Sequence, residues 1–462
     1  MKDKKIIDFT IGKPSSLIMR FFWPLLLTSM LQQLYSFVDV MIVGKGLGDN
    51  AFAAVGNMGS LFFLIVGFTF GLANGFGVLI AQSFGAKNYQ QLCQRLGCTI
   101  HLSIGLSVVL TSLSILILPS ALRLMNTDPS LMPDCLKYGY IVFGGVSMAI
   151  SYNVSAAILR AIGDSRTPLK AIIISSIINL ALDSFFIFTL GMGVEGAAIA
   201  TVLSQFLSSL ICISRIRKIS FINLNSSHFR NSRQTYIDLF SNGLPMAFMN
   251  SITAIGCMVV QHNVNEYGVA YTTAYSACSK YLNLFMNPAA TAGNAMSAYT
   301  SQNYGAREYN RIKDGLKVCL FISFITYILL GTVMVLFPRT LAGILIEGDA
   351  AMKLACDYLP ICGMSLIFVD CLFVVRSGVQ GMGHPVPTMW SGVLEMLLRI
   401  IVVYTFMGTV GFRAAAYAEI CAWVGALLYN VMMFSKFLIP KLRGYEEPER
   451  RSHFSFAKKV KI

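Results

Sequence analysis

Twelve stretches of this chain stay apolar for about the thickness of a bilayer, and no other feature limits the fold so sharply. A hydrocarbon core is crossed by roughly 20 apolar residues in helical form. Runs of that kind lie near 18–43, 54–80, 96–118, 137–159, 169–189, 195–214, 242–264, 271–299, 316–337, 354–378, 388–408 and 412–434. Charged residues are 13% of the chain, against about 25% in soluble domains, and mean hydropathy is +0.64, so polar surface is too scarce to coat water-soluble cores. In lipid each spanning segment must satisfy its own backbone hydrogen bonds, which predicts helices throughout. The expected fold is an all-α polytopic membrane protein.

Charge placement sets the expected orientation. No short apolar stretch near the start ends in a small-residue cleavage site, so the N-terminus is expected to stay cytoplasmic. Every second loop then carries few cations, namely Lys45, Arg123, Lys137, Arg339, Lys353 and Arg413. Lys280 and Arg399 fall inside spans, Arg376 counts with the loop after span 10, and the remaining Lys and Arg gather on the opposite side. That asymmetry predicts an even number of helices with both termini in the cytoplasm. The net charge of +14 therefore reads as topology, and no nucleic-acid partner is expected. The basic tail is expected to touch anionic headgroups.

An internal repeat organises the chain. Gln82-Ser-Phe-Gly-Ala-Lys-Asn-Tyr89 recurs as Gln302-Asn-Tyr-Gly-Ala-Arg-Glu-Tyr309, an offset of 220 residues, and Pro24 matches Pro245. Gly193-Val-Glu-Gly-Ala-Ala198 matches Gly411-Phe-Arg-Ala-Ala-Ala416. Six helices per unit, an even number, make the repeat parallel about an axis along the membrane normal, a common build for secondary transporters. The expected lobes are 1–214 and 241–434, joined by a cytoplasmic linker at 215–240 and followed by a basic tail at 435–462.

Ionisable residues inside spans are costly in lipid and mark candidate sites. Asp39 in span 1 and Asp183 in span 5 lie at comparable depth with no Lys or Arg beside them. Two such carboxylates either share a proton or hold a metal cation. Asn179, one turn before Asp183, and Thr201 in span 6 add oxygen ligands suited to a hard cation such as sodium. The alternative is a hydrogen-bonded pair that only locks helices together. In the second half Asp370, Glu395, Arg399, Lys280 and Glu419 fall within spans, and Glu395 and Arg399 are spaced to pair on one helix face. This set reads either as a structural ion network or as a proton or substrate site. At the repeat offset Asp39 and Asp183 give way to residues near Val260 and Val402. Pro24 frees a carbonyl and can bend span 1. Gly67, Gly71 and Gly75 read as close helix packing.

Enzyme signatures fail. Gly191-Met-Gly-Val-Glu-Gly196 has dinucleotide-fingerprint spacing but lies in a short turn between spans, outside any βαβ unit. The histidines hold no i, i+4 pair, and no P-loop exists to bind ATP. A transporter driven by an ion gradient, without a cofactor, is expected.

Taken together, Pro24, the run Gln33-Leu-Tyr-Ser-Phe-Val-Asp-Val-Met-Ile-Val-Gly44, Ala54-Val-Gly56, the two Gln-x-x-Gly-Ala loops, Arg160-Ala-Ile-Gly-Asp-Ser-Arg-Thr-Pro168, Asn179-Leu-Ala-Leu-Asp183 and Gln380-Gly-Met-Gly383 resemble the multidrug and toxic compound extrusion (MATE) transporters. The resemblance runs from about residue 12 to residue 434. It implies a twelve-helix, two-lobe antiporter expelling amphipathic, often cationic compounds in exchange for protons or sodium ions. Asp39, Asn179, Asp183 and Thr201 match the family's first-lobe cation site, and Pro24 its bending proline. The Asn-x-x-x-Asp pair looks like the DinF-like branch. Thr253 stands where NorM-like exporters carry a glutamate, although Asp370 matches their span-10 acid. A monomer in a bacterial plasma membrane is expected. A flippase for a lipid-linked molecule is the alternative, and a non-transporting receptor or scaffold the second.

Overall fold

A computed structural model of the chain describes residues 6–125, 127–225, 228 and 233–444. Lys2, Lys4, Lys5, Arg230 and the basic tail beyond Gly444 lie outside the described residues. Fifteen helices follow one another: α1 (Pro14–Leu47), α2 (Asp49–Gly85), α3 (Tyr89–Leu124), α4 (Met132–Gly144), α5 (Val146–Ala161), α6 (Arg166–Ser184), α7 (Val194–Arg217), α8 (Arg233–Asn265), α9 (Val269–Gly305), α10 (Tyr309–Thr326), α11 (Thr332–Leu336), α12 (Pro338–Leu345), α13 (Asp349–Gly381), α14 (Pro385–Val410) and α15 (Arg413–Leu442). Proline opens α1 at a position whose amide needs no partner, and the Asn88 side chain accepts the Gln91 amide at the start of α3. Asp164 accepts the amides of Arg166 and Thr167 and so starts α6.

Each expected span has its helix, with three adjustments. The fourth is two pieces, α4 and α5, bent by 44°. The fifth ends in a π segment at Phe185–Thr189, and the ninth joins α10 to α11 through a π segment at Tyr327–Gly331. Ten described helices are long and apolar enough to cross a membrane, eleven if α4 and α5 count as one span. The eighth span, α9, is not among them because Tyr, Ser, Thr and Asn fill its length. It packs against α13, α10, α2 and α1, where Asn287, Thr291, Thr300, Ser301 and Asn303 are buried in protein.

The apolar interior divides as the repeat requires. One cluster runs from Val43 to Ile222, taking in Ile219 and Ile222 of the segment expected as linker, and another runs from Val260 to Trp423 in the second half. Two smaller clusters join the halves: Phe9, Phe21 and Phe22 against Tyr299, Val379 and Phe434, and Leu72 and Phe76 against Leu239 and Ala247. The proposed cation positions have no polar equivalent in the second half, where Val260 and Val402 are buried in its apolar core.

The repeat is visible atom by atom where the halves meet. Lys87 and Arg307, non-glycine residues, share a left-handed backbone (φ 55° and 63°) in matching turns. The same hydrogen bonds close both turns: Asn88 N donates to Ser83 O and Glu308 N to Asn303 O. Gln82 Nε2 donates to Gly381 O (3.1 Å) and Gln302 Nε2 to Ala161 O (2.8 Å), a reciprocal exchange between residues 220 apart. Gly85 and Gly305 lie so close to the opposite backbone that an added Cβ falls 1.9 Å from Gln302 O and 2.0 Å from Gln82 O, respectively. An added Cβ on Gly75 falls 2.4 Å from Gly243 Cα and one on Gly71 2.6 Å from Met246 O of α8, whereas one on Gly67 meets nothing within 4 Å, and Gly67 O instead accepts a hydrogen bond from Asn250. This glycine ridge packs the halves together.

The segment before α1 crosses this junction. Ile7 N donates to Gly163 O (3.3 Å) in the first half, while Phe9 N donates to Gln302 Oε1 (2.9 Å) in the second. Asn303 Nδ2 and Arg311 Nη2 donate to Phe9 O, and Arg311 also reaches Gly12 O. The fully buried Phe9 ring stands edge-on to Phe21 and Tyr299.

Gly85→Ala is expected to destabilise the protein by about 1–3 kcal/mol, because backbone facing backbone cannot move aside for a methyl group. Gly105→Ala, whose Cβ meets nothing within 4 Å, is expected to leave the melting temperature unchanged or raise it. Melting of the purified protein in detergent checks both, and equal melting of the two variants refutes the tight junction.

Candidate functional site

Asp39 on α1 and Asp183 at the end of α6 come together, both buried, with their carboxyl groups in hydrogen-bond contact. In the amide orientation that satisfies both its ends, Asn179 Nδ2 donates to Asp183 Oδ2 (2.8 Å) and its Oδ1 accepts from Thr201 N (3.3 Å). Thr201 Oγ1 donates to Ala197 O (3.0 Å), and Tyr35 and Tyr138 lie in the neighbourhood of Thr201 and the two carboxyl groups. The structure thus gathers Asp39, Asn179, Asp183 and Thr201, and adds Tyr35 from α1 and Tyr138 from α4. Tyr35 sits one turn before Asp39 on the same face of α1, a spacing visible in the sequence. Nothing in the sequence marks Tyr138. The π segment begins two residues after Asp183 and widens the helix where the site needs room.

No Lys or Arg among the described residues pairs with either carboxylate. The Oδ1 atoms of both Asp39 and Asp183 lack a hydrogen-bond partner among those residues. Two touching carboxyl groups away from water cannot both stay ionised unaided, and a shared proton or a bound cation would relieve their repulsion. The oxygens able to ligate sodium are the two Oδ1 atoms and the hydroxyls of Thr201, Tyr35 and Tyr138. Asn179 is already engaged at both ends of its amide. The residues present therefore fit a small hard cation as well as a proton.

The second-half set divides. Glu395 and Arg399 of α14 meet at 3.5 Å, and Arg399 Nε donates to Glu419 Oε2 of α15 at 3.0 Å. Arg376 of α13, counted with a loop from the sequence, is instead buried and pairs with Glu395. Its position in the last turns of a long helix made a charge there look like an end marker, yet α13 continues to Gly381. Lys280 does not join this network: it sits on an exposed face of α9. Asp370 also stands apart, fully buried, with neither carboxyl oxygen hydrogen-bonded among the described residues. Pro24 lies inside α1, and Thr28 Oγ1 of the next turn donates to the Pro24 carbonyl (2.7 Å).

A cavity of about 400 Å³ opens beside the Arg–Glu network. Arg376, Glu395, Arg399 and Glu419 line one side, and Leu282, Met286, Val369, Phe373 and Trp423 supply an apolar wall. Thr253 also reaches it.

The MatE family model matches residues 24–185 and 245–405, one stretch in each half. Among curated relatives, "Probable multidrug resistance protein YoeA" of Bacillus subtilis (strain 168) is 28% identical over 386 residues, covering 81% of this chain and 82% of that protein. "DNA damage-inducible protein F" of Escherichia coli (strain K12) is 23% identical over 402 residues, covering 82% and 84%. A solved MATE protein in the bent conformation superposes with TM-score 0.88 at 22% identity, over 94% of this chain and 99% of that one. With both matched stretches falling on the repeated halves and a helical fold shared almost end to end, the chain belongs to the MatE family of membrane transporters and is not an enzyme.

Proposed function

We propose that the protein is a proton-coupled antiporter that exports amphipathic, cationic organic compounds across a bacterial plasma membrane by alternating access. The observation that carries this reading is the Asp39–Asp183 pair: buried at membrane depth, in contact, and without a cationic partner among the described residues. A proton entering the pair relieves the repulsion between two carboxylates, and its departure restores it. Since Asp39 is on α1 and Asp183 on α6, the charge state of the pair biases how α1 packs, with Pro24 as the place where α1 yields. Relatives named as multidrug resistance proteins support the substrate class. The working unit is a monomer with lobes at 1–214 and 241–434 and a linker at 215–240. The basic tail at 435–462 and both termini face the cytoplasm.

The two unpartnered Oδ1 atoms, with three hydroxyls around them, favour a second reading in which sodium occupies the same place. Proteoliposomes separate the two. Ethidium transport is expected to follow an imposed pH gradient at equal sodium on both sides. Transport driven by a sodium gradient alone, with pH clamped, makes sodium the coupling ion. Drive by neither gradient refutes ion-coupled export.

A further inference from the structure

Guanidinium donors outnumber their acceptors in the second-half cavity. Arg376 gives one Nη to Glu395 and only a long contact (3.9 Å) to Met249 Sδ from the other, and its Nε has no hydrogen-bond partner among the described residues. Arg399 uses Nε on Glu419 and one Nη on Glu395, and its Nη1 is likewise without a partner. Both side chains are more than nine-tenths buried (7% and 4% exposed), and both line the cavity. Both oxygens of Glu395 are already engaged. An unsatisfied charged donor away from water costs more than a neutral one, so a ligand bringing acceptor oxygens gains what the protein leaves unmet.

We infer that this cavity binds amphipathic compounds through a carboxylate, received by Arg376 and Arg399, with the apolar body against Phe373, Leu282 and Trp423. Its volume of about 400 Å³ suits a small organic molecule. Exposed Met258 and Asn283 stand at its rim. Two arginines and two glutamates make the lining neutral, so a compound that also carries a cationic centre enters without adding net charge, with Glu419 as its counter-ion. The assignment rests on the export reading only in making this ligand a substrate, and it narrows that class to cations that also bear a carboxylate.

Tryptophan and tryptamine differ only by the carboxylate and serve as probes by calorimetric titration of the protein in lipid nanodiscs. Tryptophan is expected to bind at least about tenfold more tightly than tryptamine, a difference of about 1.4 kcal/mol. The paired variant Arg376→Gln/Glu395→Gln removes one ion pair without stranding a charge and is expected to abolish that preference. Ser279→Leu, which fills the cavity and leaves the charges untouched, is expected to remove tryptophan binding. Equal binding of the two probes, preference retained in the paired variant, or no binding of tryptophan at its solubility limit overturns the assignment. Ethidium efflux is scored in parallel: efflux that still needs Asp183 while the carboxylate preference is absent refutes this site alone. A preference that persists without any efflux refutes the export reading instead.

Discussion

Asp183→Asn is expected to slow ethidium export from energised cells on the order of 100-fold at equal membrane abundance, the upper end of coupling free energies of about 1–3 kcal/mol. Asparagine keeps the shape and can still hydrogen-bond Asn179, but it cannot take up and release a charge. Asp39→Asn is expected to do the same. On the proposed reading the two carboxyl groups share one proton, so the double variant should be no slower than either single one. A double variant whose loss is the product of the single losses means that the two groups act separately, and the shared-site reading then fails. Melting should stay level or rise in all three variants, since each removes a carboxyl group that burial disfavours. Export at the parent's rate in Asp183→Asn removes the site from the mechanism altogether.

Glu395→Gln is expected to produce the largest stability loss in the second half, about 3–5 kcal/mol, because it leaves buried Arg376 and Arg399 with only the Glu419 carboxylate between them. Arg376→Gln/Glu395→Gln should recover most of that loss, since no buried charge is then stranded. Chemical denaturation of the purified protein reads the difference, and a double variant less stable than Glu395→Gln alone contradicts the pairing. Asp370→Asn is expected to behave in the opposite way. Neither oxygen of Asp370 has a hydrogen-bond partner among the described residues, so an amide there should leave melting unchanged or raise it. A fall comparable to that of Glu395→Gln means that Asp370 has a charged partner after all.

The helices were legible because lipid imposes a length and a composition that few other environments do, and the repeat was legible because two loops kept their residues. Burial direction was harder to read. Lys280 and Arg399 both interrupt apolar runs, and a run does not say which face of its helix meets protein, so one proved exposed and the other central. Arg376 was missed because a cation in the last turns of a span ordinarily reaches for the interface. Its partner Glu395 lies on the next helix, outside any local pattern. Asp39 and Asp183 stood out as acids in apolar surroundings, and Asn179 followed from helical spacing. Tyr138 comes from a helix whose position depends on the break at Gly145, where an added Cβ would fall 2.3 Å from Val202. That is a tertiary reason with no local sequence signal.

The reciprocal glutamines join the two halves, and the segment that carries Ile7 and Phe9 fastens them a second time. It runs in one direction and ties Gly163 of the first half to Gln302, Asn303 and Arg311 of the second. Any motion that parts the halves at this end must first undo that knot, while motion at the far end leaves it tied. A few residues ahead of the first helix thus fasten the halves at this end, as a hasp does on one side of a double door.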